Sequence, residues 1–264
     1  MRPTSSLRSA VVLVALTLES FLLAGDLSPA QNDAKPLAVP DGFVLQPEFQ
    51  IKKKSFAAGT AFVVKLEGFP RPVILSAIHL VGPAGGYTED VPAAKLAQVV
   101  EKVTFTDQFT GKNAMWVTQG VLTIPDAAPL GKTGKAGDIM ALWAPDKAAL
   151  KPAPLAAKTP AKGETVWVAT RAGGAPATQR LHRATVILEE EGKLYYFYDN
   201  PKFEIQGTSG APVLNAAGEV VGINLGGGTS QGKVGGVANP VGVFREHLVE
   251  ACKKYPPDKV KSGK

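Results

Sequence analysis

From residue 45 to residue 240 the chain is a succession of short β-branched and aromatic runs, each cut off by glycine, proline or charged turn residues, and only past Pro240 does a helical repeat appear. Residues 61–64, 73–75, 99–105, 115–124, 139–143 and 165–170 have the length, residue types and punctuation of strands. Residues 184–189 and 194–198 flank Glu190-Glu191-Gly192-Lys193, a hairpin signal, and residues 211–214 and 219–225 continue the rhythm. Phe244, His247, Leu248, Ala251 and Tyr255 then recur at helical spacing, which predicts a short amphipathic helix. Scattered Gly (28) and Pro (21) favour many short elements and disfavour a helical bundle.

Residues 147–163, rich in Ala, Lys and Pro without apolar periodicity, read as a linker. The expected organisation is a first β-barrel over 45–146, that linker, a second barrel over 164–240, a helix over 241–254 and a basic tail over 255–264. The fold class expected is all-β, with two six-stranded barrels.

Ahead of these, Arg2 and Arg8 precede an apolar run over 10–18 and the small-residue site Ser28-Pro29-Ala30, the pattern of a signal peptide over 1–30. Residues 31–44 read as a flexible entry segment. Glu19 makes the run too short for a stable span, and an uncleaved anchor is the alternative. The expected location is secreted or periplasmic, and one cysteine, Cys252, allows no intramolecular disulfide. Residues 253–264 hold five Lys and one Asp, which carry +4 of the net charge of +6, so the body is close to neutral. No nucleic-acid partner is expected, and the tail would make at most a weak contact with anionic surfaces. Three histidines without HExxH or CxxC spacing imply no metal, and no cofactor is expected.

Chemistry concentrates at Gly207-Thr208-Ser209-Gly210-Ala211-Pro212. Residues 31–264 hold five serines, and a G-x-S-G-x-P match arises by chance roughly 0.01 times in such a chain. The glycines allow a tight turn in which adjacent N–H groups converge beside a serine hydroxyl. Serine is a weak nucleophile and needs a base that a third group orients. His79 ends the apolar run 73–78 and is the candidate base; His182 and His247 suit surface or packing roles. Asp138 opens the apolar run 139–142 and is the candidate third member, whereas Asp107, Asp126 and Asp146 sit in turn-like contexts. The G-x-S-x-G elbow of α/β-hydrolases fails at Ala211.

Gly59-Thr60-Ala61-Phe62, the run Leu75-Ser76-Ala77-Ile78-His79, Asp138-Ile139-Met140 and Gly207–Pro212, in that order, resemble the motif blocks of trypsin-like (chymotrypsin-fold) serine peptidases, nearest to compact bacterial secreted and HtrA-like members. Residues 218–224 and 236–240 are similar to the closing strands of that family, and the resemblance spans roughly 55–250. Leu80 stands where many members have a disulfide cysteine, and Ala61 and Ala211 replace common glycines. No PDZ-like segment follows the catalytic half, so the regulated HtrA architecture is not implied.

The resemblance implies a serine endopeptidase acting on protein or peptide substrates, with His79, Asp138 and Ser209 as triad and the N–H groups of Gly207 and Ser209 as oxyanion hole. It also implies a primary pocket with Phe203 at its base and Asn224, Gly226 and Gly227 in its walls. Phe203 points to neutral side chains at the cleaved position; a one-residue slip that brings Glu204 inward would favour basic ones. Thr208 stands where animal enzymes carry an aspartate that pairs with a freed N-terminus, so no second cleavage is expected. A catalytically inactive binding module is the alternative reading.

Overall fold

The computed structural model describes residues 37–146, 148–176, 178–230 and 232–263. The expected signal peptide and residues 31–36 of the entry segment lie outside them.

The first unit is built from β1 (Val44–Ile51), β2 (Lys54–Ala57), β3 (Ala61–Lys65), β4 (Val73–Ser76), a short helix α1 (Ala93–Val99), β5 (Val100–Asp107), β6 (Met115–Thr118), β7 (Val121–Leu122), β8 (Met140–Trp143) and β9 (Ala153–Pro154). The second contains β10 (Thr165–Ala169), β11 (Leu181–Glu190), β12 (Lys193–Tyr198), β13 (Pro212–Leu214), β14 (Val220–Ser230) and β15 (Lys233–Pro240), and the chain closes with α2 (Val241–Lys254) and β16 (Lys261–Gly263). The class is all-β in two sheets, as the strand rhythm predicts. The second sheet is a closed six-stranded barrel in the order β10-β11-β12-β15-β14-β13. The first is a half-barrel rather than six closed strands: β16-β6-β5-β1-β3-β4-β8-β7 form an open path, with β2 added to β1 and β9 to β3.

Local chemistry explains the elements. Leu194, Tyr196 and Tyr198 of β12 are buried while their neighbours are half-exposed, the period of two of a one-sided strand. β11 and β12 join through Glu191 and Gly192, both at positive φ (49° and 69°), the turn geometry that matches strand twist and that glycine adopts without strain. The run 115–124 is two strands, because Gln119 takes φ 55° and breaks the extension between β6 and β7. Residues 93–99 form α1, a helix of seven residues whose two turns are too few to register as a period in the sequence.

Three segments expected to be loose are built into the fold. Val39 and Phe43 of the entry segment are buried, and Arg180 bonds both the Val39 carbonyl and Asp41. In the expected linker, β9 pairs with β3, Ala156 N donates to Val220 O at 2.9 Å, and Arg245 of α2 donates to the carbonyls of Leu155 and Ala156. An Ala/Pro-rich stretch lacks side-chain periodicity yet still carries backbone donors and acceptors, and those make these contacts. The basic tail is held too: Trp143 Nε1 donates to Tyr255 O at 2.7 Å, Arg71 to Pro257 O, and β16 pairs with the edge of β6.

α2 buries Phe244, Leu248 and Ala251 in the larger core cluster, alongside residues of the first unit. Burial pushes the Cys252 thiol on the same helix up to about 12, so it packs as a neutral apolar group. Phe244 is fully buried, and Phe244→Ala is expected to cost about 3–5 kcal/mol. Denaturant unfolding checks this: the midpoint should fall with the slope unchanged.

Candidate active site

Antiparallel pairing of β4 with β8 sets Ser76 opposite Met140, so the residues following β4 and those preceding β8 emerge at the same end of the sheet. His79 lies in a 3₁₀ turn directly after β4, and Asp138 lies just before β8. Their side chains meet: His79 Nδ1 is 2.6 Å from Asp138 Oδ2, and His79 N donates to Asp138 Oδ1 at 3.2 Å. Leu130 N adds a third donor to the carboxylate, at 2.7 Å. Both residues are buried, at 7% and 3% exposure. A carboxylate only accepts, so this contact places the ring proton on Nδ1 and leaves Nε2 as a base.

Ser209 occupies the turn entering β13. Gly210 has φ 84°, and a Cβ there would strike the Thr60 carbonyl, so only glycine fits the close approach of this turn to β3. The serine hydroxyl donates to Leu225 O at 3.0 Å. Among the described residues the backbone N–H groups of Gly207 and Ser209 donate no hydrogen bond, and both residues are at least partly exposed. A hydroxyl flanked by two unengaged amides is the arrangement that an anionic oxygen would occupy.

Thr60 of the first unit grips this loop. Its N–H donates to Ser209 O at 2.7 Å, its hydroxyl to Gly207 O at 3.1 Å, and its carbonyl accepts Ser76 Oγ at 2.7 Å. Gln108 Nε2 donates to the Thr60 hydroxyl at 2.9 Å, and Gln108 Oε1 accepts Arg171 N at 3.0 Å, which fixes the orientation of that amide. In the opposite direction, Asn239 of β15 donates to Ala136 O at 3.0 Å, two residues before Asp138.

The structure brings His79 and Asp138 together and sets Ser209 on the neighbouring loop. It also sets Gly226 beside Ser209, where a Cβ would lie 3.7 Å from Ser209 Oγ, with Gly227 next along β14 against Gly235. Phe203 and Asn224, expected as base and wall of a pocket, are turned inward. The Phe203 ring packs on Tyr198 and His182 in the second core, with centroids at 4.0 and 4.6 Å, because burying an aromatic there outweighs exposing it in a groove. Asn224 has no exposed surface and spends its amide on Thr208 and Tyr196. Glu204 is exposed and bridges Gly173. His182 is buried and bonds Thr170 O at 3.0 Å, while His247 is half-buried on α2.

Thr60, Gln108 and Asn239 have no site signal of their own in the sequence. Thr60 lies within a motif block, but a hydroxyl that acts across to another unit leaves no local spacing to read. Among the described residues no group of three or more His, Cys, Asp or Glu side chains could hold a metal ion.

The family described as trypsin-like peptidase domain matches residues 59–223, more than half of the chain. No curated protein matches. Among solved structures, the active form of the Rv3671c protease from M. tuberculosis is similar at 16% identity over 87% of this chain and 94% of that one, with a TM-score of 0.51. A serine endoprotease from Yersinia pestis gives 16% identity over 81% and 64%, with 0.52. A Glu endopeptidase in complex with MPD gives 16% over 85% and 99%, with 0.53. At such identities the likeness is one of fold.

Burial holds the His182 imidazole below its ordinary value of 6.5, against the smaller opposing effect of its bond to Thr170. The unfolded chain therefore binds this proton more readily than the folded one. The contribution of neutral His182 to stability is full above about 6.5 and is lost as the pH falls through the lower, folded value. Denaturation at pH 7.5 and pH 5.5 should show a smaller acid loss of stability in His182→Gln than in the wild type.

Proposed function

Because the chain belongs to the family of trypsin-like peptidases, we propose that it is an exported serine endopeptidase in which Ser209 is the nucleophile, His79 the base and Asp138 the group that orients His79. The observation that carries this assignment is the buried imidazole–carboxylate contact of 2.6 Å at the end of one sheet, beside a glycine-framed serine with two unengaged amides.

Ser209 Oγ rests on the Leu225 carbonyl. The proposed attack requires Oγ to leave that carbonyl by rotation about χ1 to another staggered well and to give its proton to His79 Nε2. As Oγ attacks the peptide carbonyl carbon, its proton passes to Nε2, and Asp138 stabilises the imidazolium through Nδ1–H. The carbonyl oxygen takes the negative charge and is met by the N–H groups of Gly207 and Ser209, where the loss of one such donor costs about 10²–10³ in kcat. Collapse expels the amine, which takes the proton from His79; water then repeats the sequence and frees the acid product. The substrate lies as an extended segment beside Gly226 and Gly227, where the absence of side chains admits a second backbone. The preferred residue at the cleaved position is neutral, because the Glu204 carboxylate lies against Gly173 and Gly174 and the buried Phe203 supplies no charge. Export rests on the leader-like pattern over 1–30, and the chain is active without a second cleavage because Thr208 has no carboxylate to pair with a freed amine.

Ser209→Ala and His79→Ala should each lower kcat on the order of 10⁶-fold while the fold is kept. Stoichiometric labelling of Ser209 by a fluorophosphonate, with casein and a simple ester as substrates, tests the class. Absence of labelling together with absence of casein turnover would leave the inactive binding module as the better reading. Peptide-library profiling tests the pocket: dominant cleavage after Lys or Arg, lost in Glu204→Gln, would overturn the neutral preference.

A further inference from the structure

We infer that Asn224 is a positioning residue that aims the Ser209 N–H at the reacting oxygen, an inference that rests on the reading of Ser209 as nucleophile. In a trans peptide the C=O and the N–H point in opposite directions. The Ser209 N–H shares its peptide with the Thr208 carbonyl, so whatever holds that carbonyl directs that N–H. Asn224 Nδ2 donates to Thr208 O at 2.8 Å, and Ala211 N donates to the same oxygen at 3.0 Å.

The rest of the amide leaves no freedom. The second hydrogen on Asn224 Nδ2 goes to Thr208 Oγ1 at 2.9 Å, and Asn224 Oδ1 accepts the Tyr196 hydroxyl at 2.5 Å. Thr208 Oγ1 passes its own proton to Ile205 O at 2.7 Å. The relay runs in one direction, from Tyr196 O–H through Asn224 to Thr208 and on to Ile205, and reversal of the amide would set oxygen against oxygen and nitrogen against hydroxyl. The backbone of Asn224 brackets the same loop, accepting from Gly210 N at 2.7 Å and donating to Ala211 O at 2.8 Å. Its complete burial leaves no solvent to stand in for any of these partners. Asn224 therefore acts on the reaction through Thr208, without touching the substrate.

The test compares the wild type with Asn224→Asp, Thr208→Val and Thr208→Ser in the full chain. A carboxylate at 224 keeps the shape and the contact with Tyr196 but has no hydrogen to give to Thr208. For Asn224→Asp, kcat should fall about 10²–10³-fold, the loss that accompanies a missing oxyanion donor, with KM within about threefold. Affinity for a peptide aldehyde, whose adduct with Ser209 places an oxyanion in the same spot, should fall in parallel, and the pH profile of kcat should keep its shape because His79 and Asp138 are untouched. Thr208→Val should lower kcat about tenfold and Thr208→Ser should restore it, which keeps the test decisive if Asn224→Asp does not fold. A folded Asn224→Asp with kcat near that of the wild type, or a loss without weaker aldehyde binding, overturns the assignment. So does a Thr208→Val variant as active as the wild type. A wild-type protein that neither cleaves peptides nor labels at Ser209 fails differently, at the functional reading beneath.

Discussion

The two units hold each other's loops through directed hydrogen bonds, and the geometry of the site depends on that exchange. Thr60, at the start of β3, bonds the carbonyls of both Gly207 and Ser209, while Asn239 of the second barrel bonds the loop that carries Asp138. Apolar contact between units is non-directional and tolerates sliding. A buried hydrogen bond does not: it contributes about 0.5–1.5 kcal/mol when made, and costs about 1–3 kcal/mol when one partner is left buried and unpaired. A shift of one unit against the other would orphan several such groups at once, among them the Gln108 amide that bonds Thr60 and accepts from Arg171. The apolar clusters supply the stability, and these struts select one docking arrangement.

The division of labour matches the two sheets. The Ser209 loop enters a closed six-stranded barrel, where β13 pairs with β10 and β14 while the part of β14 that faces Ser209 pairs with β15 alone. The first unit is open and carries His79 and Asp138 at one end of the adjacent pair β4 and β8, a ladder in its interior. Its outer edge at β6 is covered by β16, and Lys102 lies over the ring of Trp116 on that strand. An uncovered edge would present unpaired N–H and C=O groups to other chains; the terminal segment satisfies them with backbone alone, which is why its lysines do not prevent it.

What could be read in the sequence divides along the same physical line. Strands whose side chains alternate or run apolar, such as β12 and β3, declare themselves, and so does the α2 face of Phe244 and Leu248. His79 and Asp138 could be placed at strand ends, but that the two ends coincide is a property of the β4–β8 register. β9 and β16 were illegible because their contacts are made by main-chain groups that every residue possesses, and residues 37–43 because Val39 and Phe43 are too few apolar side chains to register as a period. The burial of Phe203 and Asn224 was not legible, for a related reason. A position near Ser209 in the chain says nothing of which way its side chain turns, and here both turn into the barrel. The serine turn is the opposite case, since its glycines, its hydroxyl and its proline all lie within six residues.

Thr208 joins these levels. An aspartate at that place would bury a charge, and a buried charge requires an opposite charge or loses several kcal/mol to desolvation. Threonine asks only for hydrogen bonds, and Asn224 with Ile205 provides them. Every group in that relay is neutral, and the Tyr196 phenol that heads it is pushed well above its ordinary value by burial and so keeps its proton. A loop held in this way does not depend on the protonation of a terminal amine or on the ionic strength that screens an ion pair. It is assembled by the folding of the second barrel itself, because β12 supplies the tyrosine, β14 the asparagine and the turn before β13 the threonine.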